Sequence, residues 1–238
     1  MRELTDQVVV VIGAGGGMGQ AICRQLVREK GKLAIASNDS DSLKKLEQDI
    51  AGQGADILSE TVDVTKEEEV RDFFAKISDT FGKPDILLNL PGVSIPAKIP
   101  EMTLEQYNLS MDVNVMGPFL CSKHFIPYVD PEKGGLIINI GSMAAKRANA
   151  NAPLYCTAKA ALNMLSDGMA LQVKDHNIRV TTLNPGPTDT KFWGDRKIPR
   201  EKFMKAEDIA DVVLFVMKSK EYIVFHDIAF ESFSFFRK

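Results

Sequence analysis

The chain has 238 residues, 45% of them hydrophobic and 26% charged, with a formal net charge of −3. That length is enough to bury a large core in a single α/β domain spanning 1–238, and a weakly acidic, ordinary composition argues against a nucleic-acid or anionic-membrane partner. No apolar run approaches the ~18 residues of a membrane span, the first seven residues lack the apolar segment of a signal peptide, and Cys23, Cys121 and Cys156 have no metal-like spacing, so a reducing, cytoplasmic location is expected.

Val8–Ile12 is a run of β-branched residues, the pattern of a strand buried on both faces. It runs into Gly13-Ala14-Gly15-Gly16-Gly17-Met18-Gly19, and a helix is expected over Met18–Lys30, with Ala21, Ile22, Leu26 and Val27 apolar and Gly31 as its stop. A strand, a glycine loop and a helix together present free backbone N–H groups to a pyrophosphate. The spacing is Gly-x-x-x-Gly-x-Gly, on Gly13, Gly17 and Gly19, and the Gly-x-Gly-x-x-Gly register does not fit. Five glycines in seven residues would be an entropically costly way to build a mere turn.

Strand-like and helix-like segments then alternate. Further strands are expected at Leu33–Ala36, Ile57–Val62, Ile86–Asn89, Leu136–Ile140, Arg179–Leu183 and Tyr222–Phe225. Helices are expected at Ser40–Ala51, Glu67–Phe81, Leu104–Tyr128, Leu154–Lys174 and Glu207–Lys218. Asp41-Ser42 and Thr65 are candidate caps for the helices that follow them, and Gly117-Pro118 is a candidate bend. This alternation implies a Rossmann-type, doubly wound parallel sheet of about seven strands with helices on both faces, and a ligand at the carboxyl ends of the strands. Gly13, Asn89, Ser142 and Pro185 all fall at such ends.

Tyr155 and Lys159 are four residues apart and share a helix face. A free phenol titrates near ~10, and a neighbouring ammonium would lower that value toward useful acid/base chemistry. His124, His176 and His226 form no ligand pattern, so no metal is expected, and Cys156 reads as a packing residue.

Taken together, the Gly13/Gly17/Gly19 loop, Asp63-Val64, Asn89 with Gly92, Asn114, Ser142, Tyr155 with Lys159, Pro185-Gly186 and Thr190 resemble the short-chain dehydrogenase/reductase family, over nearly the whole chain. The resemblance implies an NAD(P)(H)-dependent oxidoreductase acting on a small carbonyl or alcohol substrate. Tyr155 would be the acid/base, Lys159 would lower its pKa and bind the nicotinamide ribose, Ser142 would hold the substrate oxygen, and Asn114 would hold a water beside Lys159. Gly13, Gly17, Met18 and Gly19 would bind the pyrophosphate and Asp63 and Val64 the adenine. Asn89 and Gly92 would line the cleft, and Pro185, Gly186 and Thr190 would lie near the nicotinamide.

The slots that distinguish the two cofactors hold Ser37 and Asn38, neither acidic nor basic, followed by Asp39, which either opposes a 2′-phosphate or caps the next helix. On balance NADP(H) is slightly preferred over NAD(H). The family's Asn-Asn-Ala-Gly reads Asn89-Leu90-Pro91-Gly92, and Pro91 removes a backbone donor.

A short substrate lid is expected near 190–205, with Phe192 and Trp193 as apolar cover and Ser94–Met102 as a second wall. The six bases and two acids of 191–205 form either a solvated surface loop or an attractor for an anionic substrate, such as a carboxylate or a phosphopantetheine thioester. The segment after His226 alternates like an extended strand, and its phenylalanines are expected to pack on the body of the protein or on a partner in a homo-oligomer, a dimer or a tetramer. A 3-oxoacyl-thioester reductase is one subtype of this reading. A non-catalytic dinucleotide sensor or scaffold is the alternative.

Overall fold

A computed structural model describes residues 3–237. Seven parallel strands form one sheet in the order β3-β2-β1-β4-β5-β6-β7. They are β1 (Val8–Ile12), β2 (Lys32–Ser37), β3 (Asp56–Thr61), β4 (Ile86–Asn89), β5 (Gly135–Ile140), β6 (Ile178–Pro185) and β7 (Asp227–Phe230). Between them run α1 (Gly17–Leu26), α2 (Ser40–Ile50), α3 (Glu67–Phe81), α4 (Leu104–Met111), α5 (Gly117–Phe125), α6 (Pro153–Val173) and α7 (Ala206–Met217), and α8 (Phe233–Phe236) closes the described chain.

The central strands β1, β4 and β5 are buried throughout because both faces are covered. Val9 and Val11 face a cluster with Ile22 and Leu26 of α1, Leu43 and Leu46 of α2 and Ile209 and Val213 of α7. Val8, Val10 and Ile12 face the opposite cluster, with Phe73, Phe74 and Ile77 of α3, Phe125 of α5 and Met169 and Val173 of α6. Strand order reverses between β1 and β4, which pair directly, Val9 to Ile86 through Ile12 to Asn89. A crevice at the carboxyl ends of these two strands is where a doubly wound sheet takes its ligand.

The structure corrects several expected boundaries. The seventh strand is Asp227–Phe230, paired to β6 from Thr182–Asp227 to Pro185–Phe230, and not Tyr222–Phe225. The apolar run Tyr222–Val224 is a connection on the surface, with Tyr222 79% exposed. Leu104–Tyr128 is not one helix: a π turn, Asp112–Met116, interrupts it before Gly117-Pro118, and a 3-10 turn, Ile126–Tyr128, ends it. Such π turns occur most often at functional sites. Helix α1 stops at Leu26, and Lys30, in the left-handed region at φ 59°, turns the chain before Gly31 is reached. Asp39 rather than Asp41-Ser42 caps α2, accepting from the Ser42 N–H at 3.0 Å. Lys66, not Thr65, precedes α3 and gives it no side-chain cap, and Thr65 instead donates to the Asp63 carboxylate.

Candidate active site

The glycine loop follows β1 directly. Gly13 adopts φ +85°, a conformation that favours glycine, and its N–H and that of Ala14 both donate to the Ala36 carbonyl of β2. A Cβ on Gly13 would sit 3.3 Å from Leu90 Cβ and Pro91 N across the crevice. Gly19 has no room for a side chain either: its Cβ would lie 2.7 Å from Ala14 Cα. Gly17 faces Thr190 across the cleft, and Met18 lines the same cleft as Tyr155. Gly16 precedes α1 and offers no side-chain hydrogen bond to its first amides. Those amides are left for an external acceptor at the positive end of the helix.

Tyr155 and Lys159 occupy the first two turns of α6, with the Lys159 Nζ 5.9 Å from the centre of the Tyr155 ring. Ser142 follows β5. Its hydroxyl is close enough to the Tyr155 phenol to draw its pKa down, and it accepts from the Ala144 N–H at 3.1 Å. Lys159 is 2% exposed and donates to the Ile140 carbonyl at 2.8 Å and the Pro91 carbonyl at 3.5 Å. Asn114, on the π turn and fully buried, donates to the carbonyls of Val93 and Ser110 at 2.8 Å each and accepts from the Val93 N–H at 3.3 Å. Both residues therefore grip the segment Pro91–Val93, whose Gly92 has space for a Cβ only 3.2 Å from Asn114 Oδ1 and 3.3 Å from Lys159 Nζ. Both amide protons of Asn114 are thus committed, and Oδ1 can accept one further bond.

The electrostatics depart from expectation. Desolvation pushes the Tyr155 phenol up to about 12, against the Ser142 hydroxyl, which draws it down. The same desolvation pulls Lys159 down to about 7. Burial thus outweighs any lowering of the Tyr155 phenol by the Lys159 ammonium.

The other expected site residues divide. Pro185, Gly186 and Thr190 line the cleft beside Tyr155. Gly186, however, is pressed against Glu231 and donates its N–H to the Phe230 carbonyl, so the close approach that demands glycine there comes from β7. Ser37 ends β2 and faces Gly15, Asn38 is exposed, and the exposed Asp39 carboxylate is folded back on Ser42. Asp63 accepts from the Thr65 N–H and hydroxyl at 3.0 and 2.7 Å, and Val64 packs on Gly117. The Asn89 side chain does not line the cleft. It is buried, donates to Asn139 Oδ1 at 2.8 Å and to Ser122, and ties β4 to β5, while Asn139 in turn donates to Ser166 of α6.

Sequence reading missed Asn184. Its Oδ1 accepts from the Ser142 N–H at 2.7 Å and its Nδ2 donates to Asp227 Oδ1 at 3.0 Å, and Asp227 also pairs with Lys146. The amide is thus held with its oxygen toward Ser142. A polar residue before Pro185-Gly186 at the end of a buried strand was the available signal, but Asp227 becomes visible as its partner only once β7 is placed correctly. Asn184→Ala leaves the Ser142 N–H without its acceptor, at a cost of about 1–3 kcal/mol. The expected result is a lower melting temperature and a lower kcat with unchanged dinucleotide affinity. Equal kcat in the variant would show that Ser142 is placed without it.

Among the described residues no group of three or more His, Cys, Asp or Glu is arranged to hold a metal, and no helix is long and apolar enough to cross a membrane. The cleft above Tyr155 has a volume of about 980 Å³ and is walled by Ser94–Lys98 on one side and Phe192–Phe203 on the other. The lid aromatics continue from Tyr155 to Phe192 at 5.8 Å, Trp193, Phe203 and finally Phe235 of α8. Of the terminal phenylalanines, Phe230 and Phe235 are half-buried against the body, whereas Phe233 and Phe236 are about two-thirds exposed, at 65% and 66%.

Comparison with known proteins agrees with this geometry. The short chain dehydrogenase family model matches residues 7–200. An uncharacterised oxidoreductase of Staphylococcus aureus strain MRSA252 is 28% identical over 228 residues, covering 96% of this chain and 98% of that protein. An alcohol dehydrogenase from the archaeon Thermococcus sibiricus, solved with 5-hydroxy-NADP, superposes with a TM-score of 0.89 at 27% identity, over 96% of this chain and 97% of that one. A short-chain dehydrogenase/reductase from Serratia marcescens gives 0.89 at 26% identity, over 98% and 100%. With a parallel seven-stranded sheet, a glycine loop at its switch point and a family match over most of its length, this chain belongs to the short chain dehydrogenase family and is an oxidoreductase.

Proposed function

We propose that the protein is an NAD(P)(H)-dependent carbonyl reductase or alcohol dehydrogenase in which Tyr155 moves the proton. The observation that carries this reading is the meeting of Ser142 and Tyr155 in one cleft at the carboxyl ends of the strands, with Lys159 buried 5.9 Å from the Tyr155 ring. The residues also fit a nicotinamide dinucleotide: the first amides of α1 carry no side-chain cap, and Gly17 puts no side chain between them and Thr190. When bound, the nicotinamide ring supplies or accepts the hydride.

The chain's own residues do the rest. The first amides of α1 bind the pyrophosphate. Ser142 hydrogen-bonds the substrate oxygen and keeps it beside the Tyr155 hydroxyl. Tyr155 donates its proton to the developing alkoxide in reduction. Lys159 fixes the Pro91–Val93 wall and binds the ribose, and Asn114 braces the same wall from the other side of Gly92. Phe192 and Trp193 cover the reacting centre and exclude solvent.

NADP(H) is the preferred form. Asp39 is spent on capping α2, so it does not aim its charge at the 2′ position, and the Lys191 ammonium nearby adds a positive field there. A further part of the reading is a homo-oligomer, supported by the exposed Phe119 of α5 and Met164 and Leu171 of α6. A cytoplasmic location is supported by three free thiols, of which burial pushes Cys23 and Cys121 up to about 12.

The test follows NADPH, and separately NADH, at 340 nm with aldehydes, ketones and 3-oxoacyl thioesters. Carbonyl-dependent oxidation that is faster with NADPH is the expected outcome. Tight dinucleotide binding without turnover of any carbonyl would favour a sensor.

A further inference from the structure

The six bases between 191 and 205 do not share one fate. Lys191, Lys197, Lys202 and Lys205 are exposed, and Arg200 is paired with Asp189 and held by the carbonyls of Thr190 and Gly194. Arg196 alone is half-buried on the wall of the cleft without a carboxylate partner among the described residues. Its guanidinium lies over the rings of Phe192 at 5.7 Å and Trp193 at 5.4 Å. Only one terminal nitrogen is engaged, donating to the carbonyls of Ser94 at 3.4 Å and Phe192 at 3.2 Å. The other terminal nitrogen and Nε keep donors that can form the planar fork that matches a carboxylate or a phosphate.

Its position relates it to the chemistry. Phe192 packs against Tyr155 at 5.8 Å and also lies under Arg196, so the guanidinium is one ring removed from the candidate proton donor. The wider cleft has the same sign. Its lining carries Lys98, Arg147, Arg196 and Lys197 against Glu101 alone, and Arg147 is already tied to Glu231. A cleft lined by excess positive charge concentrates anions.

Resting on the reductase reading above, we infer that Arg196 is the specificity-determining group for a carbonyl substrate that carries an anionic oxyacid, a carboxylate or a phosphate, at the end of a flat apolar body. The carbonyl lies at Tyr155 and Ser142, the apolar body against Phe192 and Trp193, and the anion in the Arg196 fork. Arg196 does not contact the reacting atoms. It sets which carbonyl compounds are held long enough to react.

The experiment uses the full chain and three probes of the same shape: 4-carboxybenzaldehyde, its methyl ester, and 4-formylphenyl phosphate. Trp193 is the sole tryptophan and is stacked beside Arg196, so its emission, corrected for ligand absorbance, reports binding without turnover. The expected result is a saturable change with the carboxylate or the phosphate and a tenfold or larger weakening for the ester. In R196M the acid and the ester become equal, and R196K recovers part of the difference. The comparison of carboxylate with phosphate identifies which anion the fork takes.

In turnover, R196M raises KM for the anionic aldehyde at least tenfold and leaves kcat and the ester's KM in place. A residue that merely staples the lid to Ser94 would move acid and ester together, and that result overturns the inference. So does a wild-type protein that binds ester and acid equally. Failure of the reductase reading looks different: no aldehyde is reduced, while the fluorescence comparison still decides the anion site.

Discussion

Tyr155→Phe is expected to lower the rate of carbonyl reduction by about 10²–10⁴-fold, the usual worth of a positioned general acid, while leaving dinucleotide affinity unchanged. The substitution removes only the hydroxyl, and the ring that packs against Phe192 at 5.8 Å stays in place. No other group in the cleft can replace the phenol. Ser142 is far too weak an acid, and Lys159 is turned to the Ile140 carbonyl. A phenol near 12 still delivers its proton downhill to an alkoxide, whose conjugate acid lies roughly where water does, at ~16. The reverse direction is different. At pH ~7 only about one molecule in 10⁵ would carry the phenolate that alcohol oxidation needs. Reduction is therefore expected to be flat across neutral pH, and oxidation to rise with pH toward 10 and beyond. Stopped-flow or steady-state rates in both directions, for wild type and Tyr155→Phe, check both points. A variant that kept more than a tenth of the wild-type rate would rule out Tyr155 as the proton donor.

The sheet and the placement of the site at its carboxyl edge were legible because both depend on local pattern. Val8–Ile12, Leu136–Ile140 and Ile86–Asn89 are apolar runs bounded by turn residues, and Glu67–Phe81 has the helical period. The site residues follow these runs at fixed offsets. What failed to show depends on contacts distant in sequence. Tyr222–Phe225 is as apolar as a strand, yet β6 pairs with Asp227–Phe230, a choice made by register. Asn89 sits where a cleft residue would, but its side chain finds Asn139, fifty positions away. The sequence shows Lys159 as a neighbour of Tyr155, but it does not display the burial that draws the lysine down and the phenol up.

That burial yields the second large prediction. Lys159 is drawn down to about 7 by desolvation, whereas in the unfolded chain it titrates near its ordinary ~10.4. Between those values the unfolded chain binds a proton that the folded chain does not, so stability rises with pH across this window and is lost as pH falls from ~10 toward 7, by at most about 1.4 kcal/mol per pH unit. Below 7 both states are protonated and the penalty is constant. Lys159→Met removes this dependence, at the cost of leaving the Ile140 carbonyl without its 2.8 Å donor, about 1–3 kcal/mol. The melting temperature of Lys159→Met relative to wild type is thus expected to be most favourable at pH 7 and to fall steadily toward pH 10. Tyr155 titrates in both proteins, so its opposite effect above pH ~10 cancels in the difference. Activity moves the other way: with the Pro91–Val93 wall released and the ribose ligand gone, turnover is expected to drop about 10²-fold or more at every pH. Paired thermal melts and rates from pH 6.5 to 10 decide it. Parallel melting curves would mean that Lys159 keeps its proton in the folded state, held by the carbonyls of Ile140 and Pro91, and that its charge does act on Tyr155 after all.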